Sequence, residues 1–426
     1  MKPIGFWTAV ALVVGNMIGS GVFLLPASLA KYGGIGLLGW LVSTIGAVLL
    51  ALVFARLARL DPAAGGPYAY TRRAFGDLAG FLVAWGYWIS CWCTNAALAV
   101  AFVGYLDPFF PTVVRQPAAA ALMAIATVWL LTAVNIRGVR AAGQVQVVTT
   151  VLKILPLVAI GVGGLFVLQA SRFGVAPAGA SSFARDLGAT TTLTLWAFLG
   201  LECATIPAGS VRDPARTIPR ATMTATLLAA VIYIVSTIGV MGIVEPAALG
   251  RTPAPFAEAA RAMWGEGAAS VVALGAAVSC FGALNGWILV VGQLPMAVAA
   301  DGLFPRAFGR LSSRGTPVGG MLISGVLATA LIGMNYTRGL VDLFTFIILL
   351  ATLSTLIPYV FCSLAEFLTG ERGGRRPRRA AIIAALAFVY SLGAIAGAGT
   401  ETIYWGFLLL LAGLPVYVGV VRHRMH

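Results

Sequence analysis

Two apolar segments of this chain, each long enough to cross a membrane, are interrupted by glycine. The first interruption covers Gly15–Gly21, and the second covers Trp196–Glu202. Lipid offers no partner for backbone polar groups, so interrupted backbone at membrane depth must be buried in protein or must line a cavity. Two glycine-broken helices at corresponding positions of two halves predict the binding site of a transporter.

The first interruption has the chemistry of a carboxylate site. After Ile18 the chain is expected to start a new half-helix, whose first N–H groups have no helical acceptor and form a positive end. The hydroxyl of Ser20 and the amide of Gly21 lie at that end. A glycine-mediated helix crossing is the alternative, and the second interruption favours the carboxylate site.

The second interruption has the complementary chemistry. Unwinding near Gly200 is expected to free the carbonyls of Trp196, Ala197 and Leu199, which can accept hydrogen bonds from an ammonium group. The Trp196 indole offers a π face for an aliphatic chain or a cation. Trp196 could instead be an interfacial belt residue, but it lies beside the break and not at a helix end. The two interruptions together predict a site for a zwitterion.

Two charged residues lie inside apolar segments, where charge is costly and therefore indicates function. Glu202 is predicted to act in a gate or in proton coupling, and the alternative is a structural acceptor for freed backbone. Lys153 is predicted to bind and release a proton, and the alternative is a lysine that extends its amine to the interface.

Further polar and aromatic residues could contact a ligand. Tyr87, Cys91 and Asn95 are spaced at i, i+4 and i+8 and therefore share one helix face. That face suits a polar ligand end, although bonding between helices would explain it as well. Trp287 follows Asn285-Gly286, where an aromatic side chain can swing, and Tyr359 follows Pro358.

Composition indicates which elements position these residues. The chain has 426 residues, of which 60% are hydrophobic and only 10% are charged; ordinary soluble domains are about 25% charged. This composition predicts an all-α polytopic membrane protein. Twelve segments have the length that a bilayer requires, namely 8–30, 36–58, 78–105, 117–136, 144–169, 188–211, 220–244, 267–298, 317–334, 341–367, 379–397 and 402–421.

The net charge of +14 follows from topology. Twenty of the 28 lysines and arginines fall on the side of the two termini, seven fall on the other side, and Lys153 lies within a helix. The positive-inside rule then places both termini in the cytoplasm. We therefore expect no nucleic-acid partner.

The same sequence gives little support to other classes of protein. The two histidines are at the C-terminal tip and the five cysteines are within predicted helices, so we expect no cofactor, metal site or disulfide framework. A membrane enzyme would need a nucleophile and base or a metal cluster. A channel would need no paired helix breaks, and it remains an alternative.

The chain reads as one transporter domain over residues 1–426. The broken first and sixth helices each open a block of five helices, at 8–169 and 188–367, and two further helices follow at 379–421. Because five is odd, the second block would cross the membrane in the inverted direction, as in transporters built from inverted repeats.

The chain resembles the amino acid–polyamine–organocation superfamily, and within it the arginine/agmatine antiporters most. The stretches that carry the resemblance are Val14–Ala27, Gly65–Tyr70, Tyr87–Asn95, Thr194–Glu202 and Gly286–Trp287. The resemblance implies a five-plus-five inverted-repeat core with two extra helices, as a homodimer among membrane lipids. It also implies alternating-access exchange of a cationic amino acid for its decarboxylated amine at a bacterial inner membrane.

The resemblance also implies roles for particular residues. Ser20 and the Gly21 amide would bind the α-carboxylate, and the carbonyls of Met17, Trp196 and Leu199 would bind the α-amine. Trp196 would stack on the substrate as a middle gate. The roles implied for other residues are a guanidinium site at Ser90, Cys91 and Asn95, a cytoplasmic gate at Tyr87, Glu202 and Tyr359, and an outer gate at Trp287.

Three positions depart from the antiporter pattern. Ala351 stands where those antiporters have a serine near the guanidinium, and Leu98 replaces a methionine. Lys153 instead resembles a lysine of other amino acid transporters in the superfamily. A proton-linked or exchanging permease for neutral amino acids that uses Lys153 is therefore the second hypothesis.

Overall fold

The structure is a computed structural model that describes residues 5–61, 66–137, 154–174, 180–202, 205, 211–313, 315–368 and 378–425. In this part the chain is almost entirely helical. The principal helices are α1 (Phe6–Met17), α2 (Ser20–Leu29), α3 (Gly34–Leu60), α4 (Gly66–Phe75), α5 (Asp77–Gly104), α6 (Pro117–Ile136), α7 (Ile154–Leu165), α8 (Ala180–Leu195), α9 (Pro214–Ile243), α10 (Pro255–Trp264), α11 (Glu266–Ala300), α12 (Val318–Asn335), α13 (Leu340–Leu368), α14 (Arg378–Gly397), α15 (Thr400–Leu411) and α16 (Gly413–Met425).

The predicted all-α polytopic fold is confirmed. Ten segments of the described chain are long and apolar enough to cross a membrane. The fifth and sixth predicted spans correspond to the shorter helices α7 and α8. Residues 138–153, including Lys153, lie outside the described part, and α8 ends at the second interruption.

One predicted boundary was wrong. The sixth span begins at Ala180 and not at 188, because a helix can continue beyond the apolar run into polar residues such as Asp186. The last span, predicted over 402–421, is present over Thr400–Arg422, and a turn at Ala412 divides it into α15 and α16. Apolar periodicity locates a span but does not locate its caps.

Helix α5 forms the centre of the bundle. It packs against α11 on one side and α13 on another, and its side chains are almost all buried. Small residues permit this close approach. A β-carbon at Gly86 of α5 would lie 3.2 Å from the Ser354 carbonyl oxygen of α13. The central helix therefore presents its polar residues to neighbouring helices and not to lipid.

The three C-terminal helices lie at the periphery. Helix α14 packs against α3, α8 and α13, whereas α15 and α16 are mostly exposed. Large apolar side chains such as Leu386, Tyr404, Trp405 and Phe407 are exposed on these helices. In a membrane protein such a surface faces lipid tails or another subunit. Helices α1–α13 therefore enclose the polar interior.

Candidate functional site

The first predicted interruption is present between α1 and α2. Helix α1 ends at Met17 and α2 begins at Ser20, with Ile18 and Gly19 in non-helical conformations. The Gly19 N–H donates to the Met17 carbonyl at 3.0 Å, which closes a tight turn. The first N–H groups of α2 have no acceptor within the helix. The backbone at Ser20 and Gly21 is thus the positive end of a half-helix, while the Ser20 side chain lies outside the described atoms.

The second interruption is also present. Helix α8 ends at Leu195, a single 3₁₀ turn covers Trp196–Phe198, and Leu199 is extended. Gly200 follows with φ of +103°, a conformation that glycine adopts readily and other residues adopt only with strain. The Leu199 N–H donates to the Trp196 carbonyl at 3.1 Å. The prediction that the Trp196 carbonyl is free was therefore wrong for this conformation, because a 3₁₀ turn re-uses that carbonyl.

The two interruptions touch each other. A β-carbon at Gly200 would lie 3.3 Å from Asn16 Cβ, and a β-carbon at Gly21 would lie 2.8 Å from Trp196 Cδ1 and Nε1. The Trp196 indole therefore lies against the start of α2, in space that any side chain at position 21 would fill. Glycine at both positions allows one broken helix to contact the other through its backbone.

A small cavity lies where the interruptions meet. Its volume is about 20 Å³, which is enough for roughly one water molecule. An amino acid does not fit in this volume, and Trp196 packs between the two interruptions beside the cavity. The residues that line the cavity are Asn16, Met17, Gly19, Gly21, Thr94, Leu98, Trp196, Leu199 and Trp287.

Apart from Ser20, whose side chain is not among the described atoms, five residues predicted for the site do not line this cavity. A β-carbon at Gly21 would lie 3.3 Å from the Ala197 Cα, so Ala197 contacts this region through its backbone. The other four, Ser90, Cys91, Asn95 and Ala351, are buried between α5 and its neighbours. Opening of the site would be needed to bring these four side chains to a ligand.

Ser90 and Ala351 share a partner that the sequence analysis did not identify. The Thr355 hydroxyl on α13 donates to Ser90 Oγ at 2.5 Å and contacts the Ala351 carbonyl at 3.1 Å. Asn95 has a buried side-chain oxygen with no hydrogen-bond partner in the described part of the chain. A buried amide without a partner is costly. Asn95 is therefore the polar group of this face that is most available to a ligand.

Glu202 lies at the end of the second interruption and is fully buried. The Tyr87 hydroxyl donates to its Oε1 at 2.7 Å, and the Tyr359 hydroxyl donates to its Oε2 at 2.7 Å. The structure thus brings together all three residues of the predicted cytoplasmic gate. Their hydrogen bonds join α5, α13 and the sixth-span segment across the interior of the bundle.

A second, larger cavity lies beyond this group. It has a volume of about 270 Å³ and is lined by Pro67, Tyr68, Tyr87 and apolar side chains of α5 and α11. Tyr87 precedes Thr94 by seven residues on α5, which corresponds to about 10 Å at 1.5 Å per residue. Tyr87 therefore separates the small central cavity from the larger cavity near the start of α5.

A group of polar residues lies beside the larger cavity, which Tyr68 lines. The Tyr68 hydroxyl donates to Asp301 Oδ2 at 2.8 Å, and Arg72 lies 3.0 Å from the same oxygen. Arg72 also bonds Asp77 at 2.7 Å. Burial and the hydrogen bond to Asp301 raise the pKa of Tyr68 above its usual range, so it remains a donor. We name Tyr68, Arg72, Asp77 and Asp301 the α4–α11 latch.

Several site residues had weak sequence signals. Asn16 lies inside the first glycine motif, and Thr94 follows Cys91 by three residues on the same face of α5. Spacing could have identified both. Thr355 and Asp301 could not be found in this way, because their partners are more than 200 residues away along the chain.

Comparison with known proteins agrees with this geometry. A family model described as amino acid permease matches residues 4–418. The chain is 35% identical to the cadaverine/lysine antiporter of Escherichia coli strain K12, with 99% of this chain and 96% of that protein covered. It is 33% identical to the putrescine transporter PotE of Haemophilus influenzae, with 99% and 98% covered.

A third relative comes from a different bacterium. The chain is 35% identical to the putative arginine/ornithine antiporter of Bacillus subtilis strain 168, with 98% of this chain and 96% of that protein covered. The family model and the three relatives each match nearly the full length of this chain. The chain therefore belongs to the amino acid permease family of the amino acid–polyamine–organocation superfamily.

Proposed function

We propose that this protein is an antiporter that exchanges a cationic amino acid for its decarboxylated amine by alternating access. The contact between the two helix interruptions carries the proposal. Two discontinuous helices that meet near the middle of a bundle are the site architecture of carriers. The antiport activities named for the relatives agree with this class of function.

The substrate would bind between the interruptions as a zwitterion. Its carboxylate would contact the N-terminal backbone of α2 at Ser20 and Gly21, where the helix dipole favours negative charge. Its α-amine would contact the carbonyls near Met17 and Leu199. A decarboxylated amine would keep the second contact and lose the first. Such a site can therefore bind both partners of an exchange.

The side chain of the substrate would lie against Trp196. The described residues that line the cavity include aromatic, amide and hydroxyl groups but no acidic side chain. A cation there would be held by π faces and by dipoles, with Thr94 and Asn95 near its distal end. Moderate binding suits a carrier, which must release its substrate on the other side. Arginine with agmatine, lysine with cadaverine and ornithine with putrescine all fit this chemistry.

Alternating access would proceed around the fixed site. We propose that residues 8–169 and 188–367 are inverted repeats and that they rock against each other. The bonds of Glu202 to Tyr87 and Tyr359, and the α4–α11 latch, would close the route on one side. Trp287 would contribute to closure on the other side, and Trp196 would move to admit the substrate.

The cellular setting follows from the same reasoning. Both termini would be cytoplasmic, because basic residues concentrate on their side, and the protein would lie in a bacterial inner membrane. The exposed apolar surface of α14–α16 would contact lipid or a second subunit of a homodimer. The larger cavity and the latch would then form the cytoplasmic part of the transport route.

A counterflow panel in proteoliposomes tests the function. Vesicles loaded with unlabelled lysine should accumulate labelled lysine, and external cadaverine, putrescine, arginine, agmatine or ornithine should compete. Alanine and leucine serve as neutral controls of similar backbone chemistry. Competition by the neutral amino acids alone would overturn the cationic assignment and favour the neutral permease. Flux that does not depend on internal substrate would overturn exchange and favour a channel.

A further inference from the structure

A third cavity lies apart from the transport route, at the end of the bundle where α3 ends and α14 begins. It has a volume of about 570 Å³ and lies between α3, α9, α13 and α14. Five arginine side chains line it together with one carboxylate. The arginines are Arg56, Arg59, Arg216, Arg220 and Arg379.

The charge of this cavity is unbalanced. Glu366 is the one acidic residue among the described residues that line it, and it is buried and lies 2.5 Å from Arg56 Nε, so it already forms an ion pair. Arg59, Arg220 and Arg379 are exposed and form no ion pair within the described part of the chain. Arg216 lies 3.9 Å from Asp213, but both are largely exposed and water screens the pair. The cavity therefore has an excess of positive charge that converges on one space.

The walls of the same cavity are apolar. Leu52, Val53 and Ala55 of α3 face Ala380 and Ile383 of α14, and Pro219 of α9 completes this wall. Ile382, next along α14, is exposed on the outer surface of the bundle. The cavity thus joins a basic mouth to an apolar surface that faces lipid tails. A small hydrophilic anion would contact only the arginines, whereas an amphipathic anion would contact the arginines and the apolar surface.

The position of this cavity along the membrane normal agrees with an amphipathic ligand. Helices α3 and α13 end, and α9 and α14 begin, at the level of these arginines. The ends of membrane-spanning helices lie at the lipid headgroups. If these arginines served only to determine topology, we would expect them to be dispersed among the loops on the same side of the membrane. Instead, all five line a single cavity. Basic pockets between such helices bind anionic headgroups.

We propose that this cavity binds the phosphodiester headgroup of an anionic phospholipid, with Arg59, Arg220 and Arg379 as the ligating residues. The acyl chains of the lipid lie along Leu52 and Ile383. The Arg56–Glu366 ion pair forms the floor of the headgroup site. This site is separate from the exchange site, so the proposal does not depend on the substrate or on antiport.

Native mass spectrometry of the purified full-length protein tests the proposal. The probes are dioleoylphosphatidylglycerol and dioleoylphosphatidylcholine at equal concentration, with inorganic phosphate as a separate soluble arm. The variant carries Arg59→Gln, Arg220→Gln and Arg379→Gln. The matched control carries Arg137→Gln, Arg310→Gln and Arg422→Gln, which removes the same charge from exposed positions outside the cavity.

The expected result is a preference for phosphatidylglycerol over phosphatidylcholine in the native protein and in the control. The cavity variant should lose this preference by roughly tenfold or more, because three basic contacts to an anionic headgroup are removed together. Equal loss in the control variant would show general surface attraction and would overturn the proposal. Displacement of the lipid by inorganic phosphate at similar concentration would also overturn it, since the apolar wall would then contribute nothing.

A second variant keeps the test valid if the triple variant does not fold. Ile383→Ser changes only the apolar wall and leaves every arginine in place. It should weaken retention of phosphatidylglycerol without changing the response to phosphate. Unchanged retention of phosphatidylglycerol in Ile383→Ser would contradict the placement of the acyl chain.

Discussion

Gly200 of the sixth span lies directly against Asn16 of the first span. A β-carbon on Gly200 would lie 3.3 Å from Asn16 Cβ and 3.4 Å from its carbonyl carbon. The φ of +103° at Gly200 adds a conformational requirement to this steric one. This contact and the contact of Gly21 with Trp196 join the two helix interruptions, so the geometry where they meet depends on both.

Gly200→Ala should therefore destabilise the protein. We expect a loss of about 1–3 kcal/mol from backbone strain, with a further loss from the contact with Asn16. Thermal unfolding of detergent-purified protein would measure it. The matched control is Gly393→Ala on α14, where no atom lies within 4 Å of the added carbon. This control should be neutral or stabilising, because alanine is the better helix former. An equal effect of the two substitutions would contradict the role of Gly200.

Tyr359→Phe should weaken the group around Glu202. The substitution removes the hydroxyl that donates to Oε2 at 2.7 Å in a fully buried setting. Loss of a hydrogen bond to a buried polar group costs about 1–3 kcal/mol, which should appear as a lower unfolding temperature. Tyr404→Phe is the control, because that side chain is 60% exposed. Tyr87→Phe should have a similar effect through Oε1.

The two tyrosine substitutions should be coupled. Both hydroxyls bond one carboxylate, and residues that share a partner usually show non-additive changes in stability. The double variant Tyr87→Phe with Tyr359→Phe should therefore differ from the sum of the single variants. Strict additivity would show that the two hydroxyls act independently and would remove Glu202 as the link between α5 and α13.

Asp301→Asn should open the α4–α11 latch. The substitution weakens the bonds that Asp301 accepts from Tyr68 and Arg72. Val83 lines the larger cavity behind the latch, so a cysteine placed there should react several-fold faster with a membrane-impermeant maleimide. The native cysteines would be replaced in this background. Asp107→Asn is the control, since Asp107 pairs with Arg115 at another surface. Unchanged labelling in Asp301→Asn would contradict the latch.

The latch should also be insensitive to moderate changes of pH. Burial and the bond to Asp301 raise the pKa of Tyr68 above its ordinary value of 10.0. A raised pKa means that the protonated form is favoured in the folded state, so the contribution of this group is lost only as pH rises above about 10. Maleimide reacts with the thiolate, so the labelling rate at position 83 is divided by that of a cysteine at the exposed position 404. This ratio should therefore be equal at pH 6 and pH 8.5. A higher ratio at pH 8.5 would show that another titrating group controls access.

The sequence predicted the interruptions because glycine marks them locally. Breaks near Gly19 and Gly200 follow from residue type and from the cost of unpaired backbone in lipid. The residues around Glu202 were also named, because the resemblance to the arginine/agmatine antiporters implied a cytoplasmic gate at Tyr87, Glu202 and Tyr359. What could not be predicted was which oxygen each tyrosine bonds, because Tyr87 and Tyr359 are 115 and 157 residues from Glu202 along the chain.

Other features depended on tertiary structure in the same way. Ser90 was predicted to contact substrate, but in this conformation it accepts a hydrogen bond from Thr355, 265 residues away. The Trp196 carbonyl was predicted to be free, but the 3₁₀ turn gives it a donor in Leu199. Hydrophobicity predicts where a helix crosses the membrane, whereas the partners of its polar groups follow from packing between distant segments.

The proposed substrate site lies at Trp196, where the two interruptions meet. Labelled lysine or cadaverine binding to purified protein should be saturable in the native chain and should be lost in Trp196→Leu. Trp405→Leu removes an exposed tryptophan from the periphery, and it should bind as the native chain does. Both variants should keep the native unfolding temperature within a few degrees. Undiminished binding by a folded Trp196→Leu protein would contradict the central claim.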